Sequence, residues 1–251
     1  TPTKDPAFGL EAVWIEPAQR DHAQTLGYTV VDTSTVIATH LSQLLQDNAH
    51  ELIGHEEVQE LIDVLKRSAP KLVDNLMPKV LELGVIVKVL QNLLQERIPI
   101  RDLRTIAETL AEQGTRSQDA VILTAHVRIS LGRLIVQNIY GMVSELAIMT
   151  LHPNLEQILQ QSVQGQDGTV RAFEPGMTQM IHSSLREATE NQLAKGDPAV
   201  LLLSQNLRSF LARMVRHAIP ELHVLSYDEV PDDKQLKVIA SIGAPQSGLT
   251  G

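Results

Sequence analysis

With 30 acidic against 21 basic side chains and a formal charge of −9, this 251-residue chain is poorly suited to nucleic acid or anionic lipid, both of which are held mainly by positive charge. Hydrophobic residues make up 43% but aromatic residues only 3%, so its cores must be built from Leu, Ile, Val and Ala, with few rings to stack on bases or sugars. The absence of cysteine excludes disulfides, thiolate nucleophiles and cysteine-ligated metals.

The first 32 residues read as α/β structure. Ala12-Val-Trp-Ile15 is strand-like and stops at Glu16-Pro17. Pro17 to Leu26 reads as a short helix ended by Gly27, a residue type suited to the position just past a helix. Tyr28-Thr-Val-Val31 reads as a second strand, after which Asp32, Thr33 and Ser34 offer caps for a helix running to about Asn48. Thr1 to Asp5 carries no signal-peptide pattern and reads like a cut inside a longer protein.

From about 53 to 140 the pattern is helical. Val58, Leu61, Ile62 and Leu65 follow helical spacing, with Glu51, Glu56, Glu57, Glu60 and Asp63 as the wet face. Pro70 and Pro78 punctuate a short helical piece. Gly84 to Leu94 is apolar on nearly every side, so it must be buried within the chain or against another copy. It is too short to span a membrane and carries Lys88, Gln91 and Asn92. Ile98-Pro99-Ile100 then predicts a rigid corner, because proline pushes the preceding residue out of the helical region. Beyond it, Leu103, Ile106, Ala107 and Leu110 form one stripe, with Arg101, Arg104, Glu108 and Glu112 elsewhere. Gly114 ends that helix, and a single further helix is predicted from Gln118 to about Ile139.

Strands return from about 144. Ala147 to Leu151 and the continuous apolar run Ala199 to Leu203 read as strands, the latter buried on both faces. Asn154–Val163, Met177–Leu193 and Gln205–Ala218 read as helices between strands, and Leu222–Leu225 and Leu236–Ile239 close the region as two more strands. Gly165-Gln-Asp-Gly168 is a turn signal, and Gly243 to Gly251 reads as a frayed tail.

Little in this pattern points to chemistry. His55-Glu56 begins like a zinc-protease motif, but position 59 is Gln and the second ligand is missing. The nine histidines are scattered. There is no phosphate-binding loop, no dinucleotide-binding glycine pattern and no nucleophile elbow. No metal or cofactor is indicated, and no residue argues for an enzyme. The clusters Arg97/Arg101/Arg104 and Arg208/Arg213/Arg216 read as solvated faces or ion-pair partners.

The run VLQNLLQERIPIRDLRTIAETLAE, with DPAFGLEAVWIEP and GYTVVD upstream and VLLLSQNLRSFLARMVRHAIPELHVLSYDEV downstream, resembles the large export-gate proteins of type III secretion, the FlhA-like (FHIPEP) family of flagella and its virulence relatives. The IPIRDLRTI corner is the most specific piece, and the resemblance covers essentially the whole chain, closer to the flagellar branch. It implies a bacterial inner-membrane protein with a multi-span half outside this chain and a cytoplasmic half that forms a ring of nine copies. That half would receive export chaperone–cargo complexes and meet other components of the export apparatus.

The implied fold is mixed α and β in several subdomains. Residues 1–52 would be the remnant of the chaperone-docking α/β subdomains, 53–132 a helical subdomain, 133–243 a C-terminal α/β subdomain and 244–251 a disordered tail. The family's chaperone site maps onto Asp5, Phe8 and Thr39. An apolar ring with a carboxylate and a hydroxyl makes an anchor with a polar rim; read without the family, Phe8 is satellite core, Asp5 a turn residue and Thr39 a helix-surface hydroxyl. Pro99, Arg101, Asp102 and Arg104 are candidates for the structural corner and for contacts between copies. Two other readings stay open: an oligomerisation module with no binding of its own, and a hydrolase or transferase in the α/β region.

Overall fold

The computed structural model describes residues 1–7, 9–163 and 175–243. The Gly165–Gly168 turn and the tail beyond Gly243 lie outside the described residues. The architecture is mixed α and β. A small N-terminal hairpin and helical arm lead into a helical layer, which packs on one face of a parallel four-stranded sheet. Helices also cover the sheet's other face.

The hairpin pairs β1 (Pro2–Lys4) with β2 (Glu11–Val13) antiparallel. The strand expected at Tyr28–Val31 does not form. Strands need a neighbour to satisfy their backbone groups, and β2 already pairs with β1 in a two-stranded sheet of its own. The helix expected at Pro17–Leu26 is a 3-10 turn (Pro17–Gln19) followed by α1 (Arg20–Thr25), and Gly27 sits just past it at φ +88°, as its role requires. Asp32 caps α2 (Thr33–Asp47) by accepting the Thr35 N–H at 2.7 Å. The short α3 (Ala49–Leu52) follows.

The helical layer comprises α4 (His55–Ser68), α5 (Pro70–Leu76), α6 (Leu83–Gln95), α7 (Leu103–Gln113), α8 (Ala120–Ser130) and α9 (Gly132–Tyr140). The apolar α6 is buried within its own chain through Ile86, Val87, Val89, Leu90 and Leu93, while Lys88 reaches solvent. Its polar residues have partners: Asn92 donates to Thr124 Oγ1 at 3.1 Å and Gln91 to the Ile53 carbonyl at 2.9 Å. Ile106, Ala107 and Leu110 of α7 are buried, and Leu103 is half-buried, as its stripe predicts.

Two details of this layer differ from the sequence expectation. The chain turns out of α6 at Arg97, one residue before the corner. The Ile98 N–H returns to the Leu93 carbonyl and the Arg97 N–H to that of Leu94, both at 2.9 Å, which puts Arg97 at φ 57° in the left-handed region. The single helix expected over Gln118–Ile139 is two helices bent by 69° around Leu131. The bend lets the start of α9 lie against the backbone of Glu229. A Cβ on Gly132 would overlap the Glu229 carbonyl oxygen, so only glycine allows this approach.

The sheet contains β3 (Glu145–Leu151), β4 (Val200–Leu203), β5 (His223–Ser226) and β6 (Gln235–Ile242), in the order β5-β4-β3-β6 and all parallel. Alternation divides its side chains between two cores. Leu146, Ile148, Val200, Leu202 and Leu225 join the helical layer. Met149, Leu151, Leu201, Leu203 and Val224 join α10 (Pro153–Val163), α11 (Pro175–Leu193) and α12 (Gln205–Val215) on the other side. That two-sided burial is why β4 is an unbroken apolar run. No single helix among the described residues is long and apolar enough to cross a membrane.

Candidate docking surface and a buried ion-pair cluster

The candidate docking residues lie on the N-terminal arm. Asp5 sits in the hairpin loop, where its Oδ1 accepts the Ala7 N–H at 2.9 Å and its backbone closes the turn with Gly9 and Leu10. Thr39 is half-buried in the middle of α2. Phe8 lies outside the described residues. The hairpin and α1 make their main contacts within the arm itself, and α2 packs chiefly on α3. As a result, no described residue from 1 to 52 is fully buried, and half of the exposed large apolar side chains among the described residues fall in this stretch. Trp14, Tyr28, Ile37 and Leu41 each keep more than half of their surface in solvent.

The corner residues do not converge. Pro99 is half-buried beside the turn that ends α6. Asp102 caps α7, accepting the Thr105 N–H at 3.2 Å. Arg104 donates from Nε to Glu108 Oε1 at 3.0 Å, one turn along its own exposed helix face, and Arg101 is exposed.

The most organised polar arrangement lies elsewhere, where the helical layer meets the sheet. Arg128 on α8 is 2% exposed and grips Glu229 with two parallel hydrogen bonds, Nε to Oε1 at 2.8 Å and Nη2 to Oε2 at 2.6 Å. Its remaining nitrogen, Nη1, donates to Glu96 Oε2 at 2.7 Å. Arg208 on α12 binds Glu96 from the other side, through Nη1 to Oε2 and through Nη2 to Oε1 at 3.1 Å. Burial pushes the Glu96 carboxyl up, but Arg128 and Arg208 outweigh it and hold the group below its ordinary value. Burial likewise works against the Arg128 charge, and Glu229 and Glu96 more than restore it. Two guanidiniums and two carboxylates thus balance in a dry place, tying α6, α8, α12 and the 3-10 turn Tyr227–Glu229 together.

Sequence reading missed this cluster. Arg208 belongs to a group expected to be solvated or ion-paired, and it is ion-paired and buried. The available signal was Arg128 itself: a lone charge between Val127 and Ile129 in a largely apolar helix must find a carboxylate. Among the described residues no group of three or more His, Asp or Glu could hold a metal ion.

Comparison with known proteins bears directly on this fold. The FHIPEP family model matches residues 1–235. The chain belongs to the FHIPEP family. It is 45% identical over 241 residues to the flagellar biosynthesis protein FlhA of Escherichia coli K12, covering 96% of this chain and 34% of that protein. It therefore spans about a third of the length of the curated relatives it matches. Among solved structures it resembles nonameric EPEC SctV-C, with a TM-score of 0.77 and 32% identity over 90% of this chain and 68% of the other. It also resembles CdsV in the Chlamydia pneumoniae CdsV–CdsO complex, with a TM-score of 0.83 and 27% identity, over 91% of this chain and 67% of that one. The mixed α/β fold expected of this family is the one observed.

Proposed function

We propose that this chain is part of a cytoplasmic docking platform in a type III export gate of the flagellar branch, at the inner face of the bacterial membrane. It receives export chaperone–cargo complexes and assembles with copies of itself. Residues 1–52 would carry the docking face, 53–132 the ring-building helices and 133–243 the closing α/β subdomain. The observation that carries this reading is the uncovered apolar surface of the arm, in a chain whose family match runs through it. Asp5, Phe8 and Thr39 are the proposed contacts on that face, and Pro99, Arg101, Asp102 and Arg104 lie at the corner proposed to meet a neighbour. The nonameric state of EPEC SctV-C supports self-assembly, and the CdsV–CdsO complex supports contact with another export component. No catalytic step is assigned to any residue.

A second reading has its own observation. The chain covers only 68% of SctV-C, so the arm's apolar face could serve to pack against segments that the longer relatives possess. On that reading the chain is a structural module without binding activity of its own. Titrating a purified chaperone–cargo complex into the protein, extended upstream to match the relatives, separates the two. Saturable binding supports docking. Self-assembly into rings with no heat of binding leaves only the structural module.

A further inference from the structure

β6 is an edge strand, with β3 on one side and no strand among the described residues on the other. Its ladder with β3 shows which backbone groups stay free. The Gln235 N–H donates to the Ser144 carbonyl, and the Ile242 carbonyl accepts the His152 N–H. In a parallel ladder each residue turns its N–H and C=O to one side, and its neighbours turn theirs to the other. Gln235 and Lys237 therefore face β3, in register with Glu145 and Ala147. Leu236 and Val238 face away from it. Between Ile148 and Met149 the register shifts and Ile239 is the extra residue, after which Ala240 and Ile242 face β3 again.

Leu236 and Val238 also keep their side chains in solvent, 42% and 58% exposed. Their partners in register, Leu146 and Ile148, are buried in the core under the helical layer, so that cover stops short of the edge. Met142 and Val143 are exposed in the loop before β3, which the Gln235–Ser144 bond holds against the start of β6. A row of free N–H and C=O groups beside aliphatic side chains matches what an added strand supplies.

Charge selects the occupant. Around this edge Arg133, Lys234 and Lys237 are balanced by Glu145, Asp232 and Asp233. Lys237 pairs with Glu145 at 3.1 Å and Arg133 with Asp233 at 2.9 Å. The edge is neutral and suits an uncharged segment. A second copy fits poorly. The antiparallel register that joins Leu236 of one β6 to Val238 of another sets Lys237 directly opposite its own counterpart, with Cα atoms about 4.5 Å apart. Like charges in that position oppose pairing.

We infer that β6 is a docking edge that takes an extended, uncharged segment of another protein as an added strand, with alternate aliphatic residues covering Leu236 and Val238. The inference rests on the sheet alone and stands or falls without the docking face on the arm.

The test uses a labelled, capped peptide of alternating threonine and valine, titrated against the protein by fluorescence anisotropy. Methylating the backbone nitrogens along one edge of the peptide is expected to weaken binding at least about tenfold, and methylating those along the other edge to leave it within about twofold. Val238→Lys, a change on the solvent side of the strand, should weaken binding at least about fivefold. Amide exchange at Leu236 and Val238 should be fast in the free protein and at least about tenfold slower with peptide bound. That measurement, on the unaltered protein, decides the matter should the lysine variant misfold. No binding, an equal effect of the two methylations, binding that survives Val238→Lys, or slow exchange at both amides in the free protein overturns the inference. A dimer in sedimentation that Val238→Lys dissociates overturns it too, by making a second copy the occupant.

Discussion

Arg128 and Glu229, 101 residues apart in sequence, meet through both nitrogens and both oxygens of their forks at 2.8 and 2.6 Å, each side chain 2% exposed. The pair ties α8 of the helical layer to the turn that leads into β6. Removing one partner leaves the other charged in a dry interior. Arg128→Met or Glu229→Leu is therefore expected to cost about 3–5 kcal/mol. Arg128→Met combined with Glu229→Leu leaves the Glu96–Arg208 pair balanced and should cost clearly less than the sum of the single changes. Urea denaturation of the four proteins in this cycle measures both. Additive losses would mean that the pair does not act as a unit.

Gly132 holds the same junction from the backbone side. A methyl group there would overlap the Glu229 carbonyl oxygen, so Gly132→Ala must push α9 away from the turn. A loss of about 1–3 kcal/mol is expected. Gly176→Ala has nothing within 4 Å to meet among the described residues and serves as the control in the same thermal melts.

The corner residues have different duties, and stability can tell them apart. Asp102→Ala removes the cap of α7 and should cost about 1 kcal/mol in the monomer. Arg104→Ala removes only an exposed pair and should change stability by at most about 0.5 kcal/mol. If Arg104 contacts a neighbouring copy, its loss will appear in sedimentation of the assembled protein rather than in chemical unfolding.

Acid should weaken the fold in two stages. His223 has its folded value depressed below the ordinary 6.5, so it binds fewer protons folded than unfolded. Its contribution is complete above about 6.5 and is lost as pH falls below that toward the folded value. Glu96 is likewise depressed, from 4.5, and its contribution is lost as pH falls below that. Melting temperature followed from pH 8 to pH 2 should show both declines, and His223→Gln should remove the first while leaving the second.

The sequence displays those parts of the fold that local periodicity governs. The stripe on α7, the doubly buried β4 and the glycine after α1 are legible because each follows from neighbours a few residues away. The bend at Leu131 and the missing strand at Tyr28–Val31 were not legible. The first depends on a backbone contact with Glu229, nearly a hundred positions on, and the second on whether a partner strand is present. The same holds for the polar sites. Asp102 as a cap is readable from its place before an apolar stripe. The four-residue ion cluster joins positions 96, 128, 208 and 229, which only the tertiary fold brings together.

The central claim, that the N-terminal arm docks export chaperone–cargo complexes, rests on Asp5, Phe8 and Thr39. Calorimetric titration of such a complex against the protein and its Asp5→Ala and Phe8→Ala variants tests it most directly. The account expects each substitution to weaken binding by more than about 1 kcal/mol, a factor of about five or more, with the Arg128–Glu229 cluster and the melting temperature undisturbed. Unchanged affinity in both variants would contradict it.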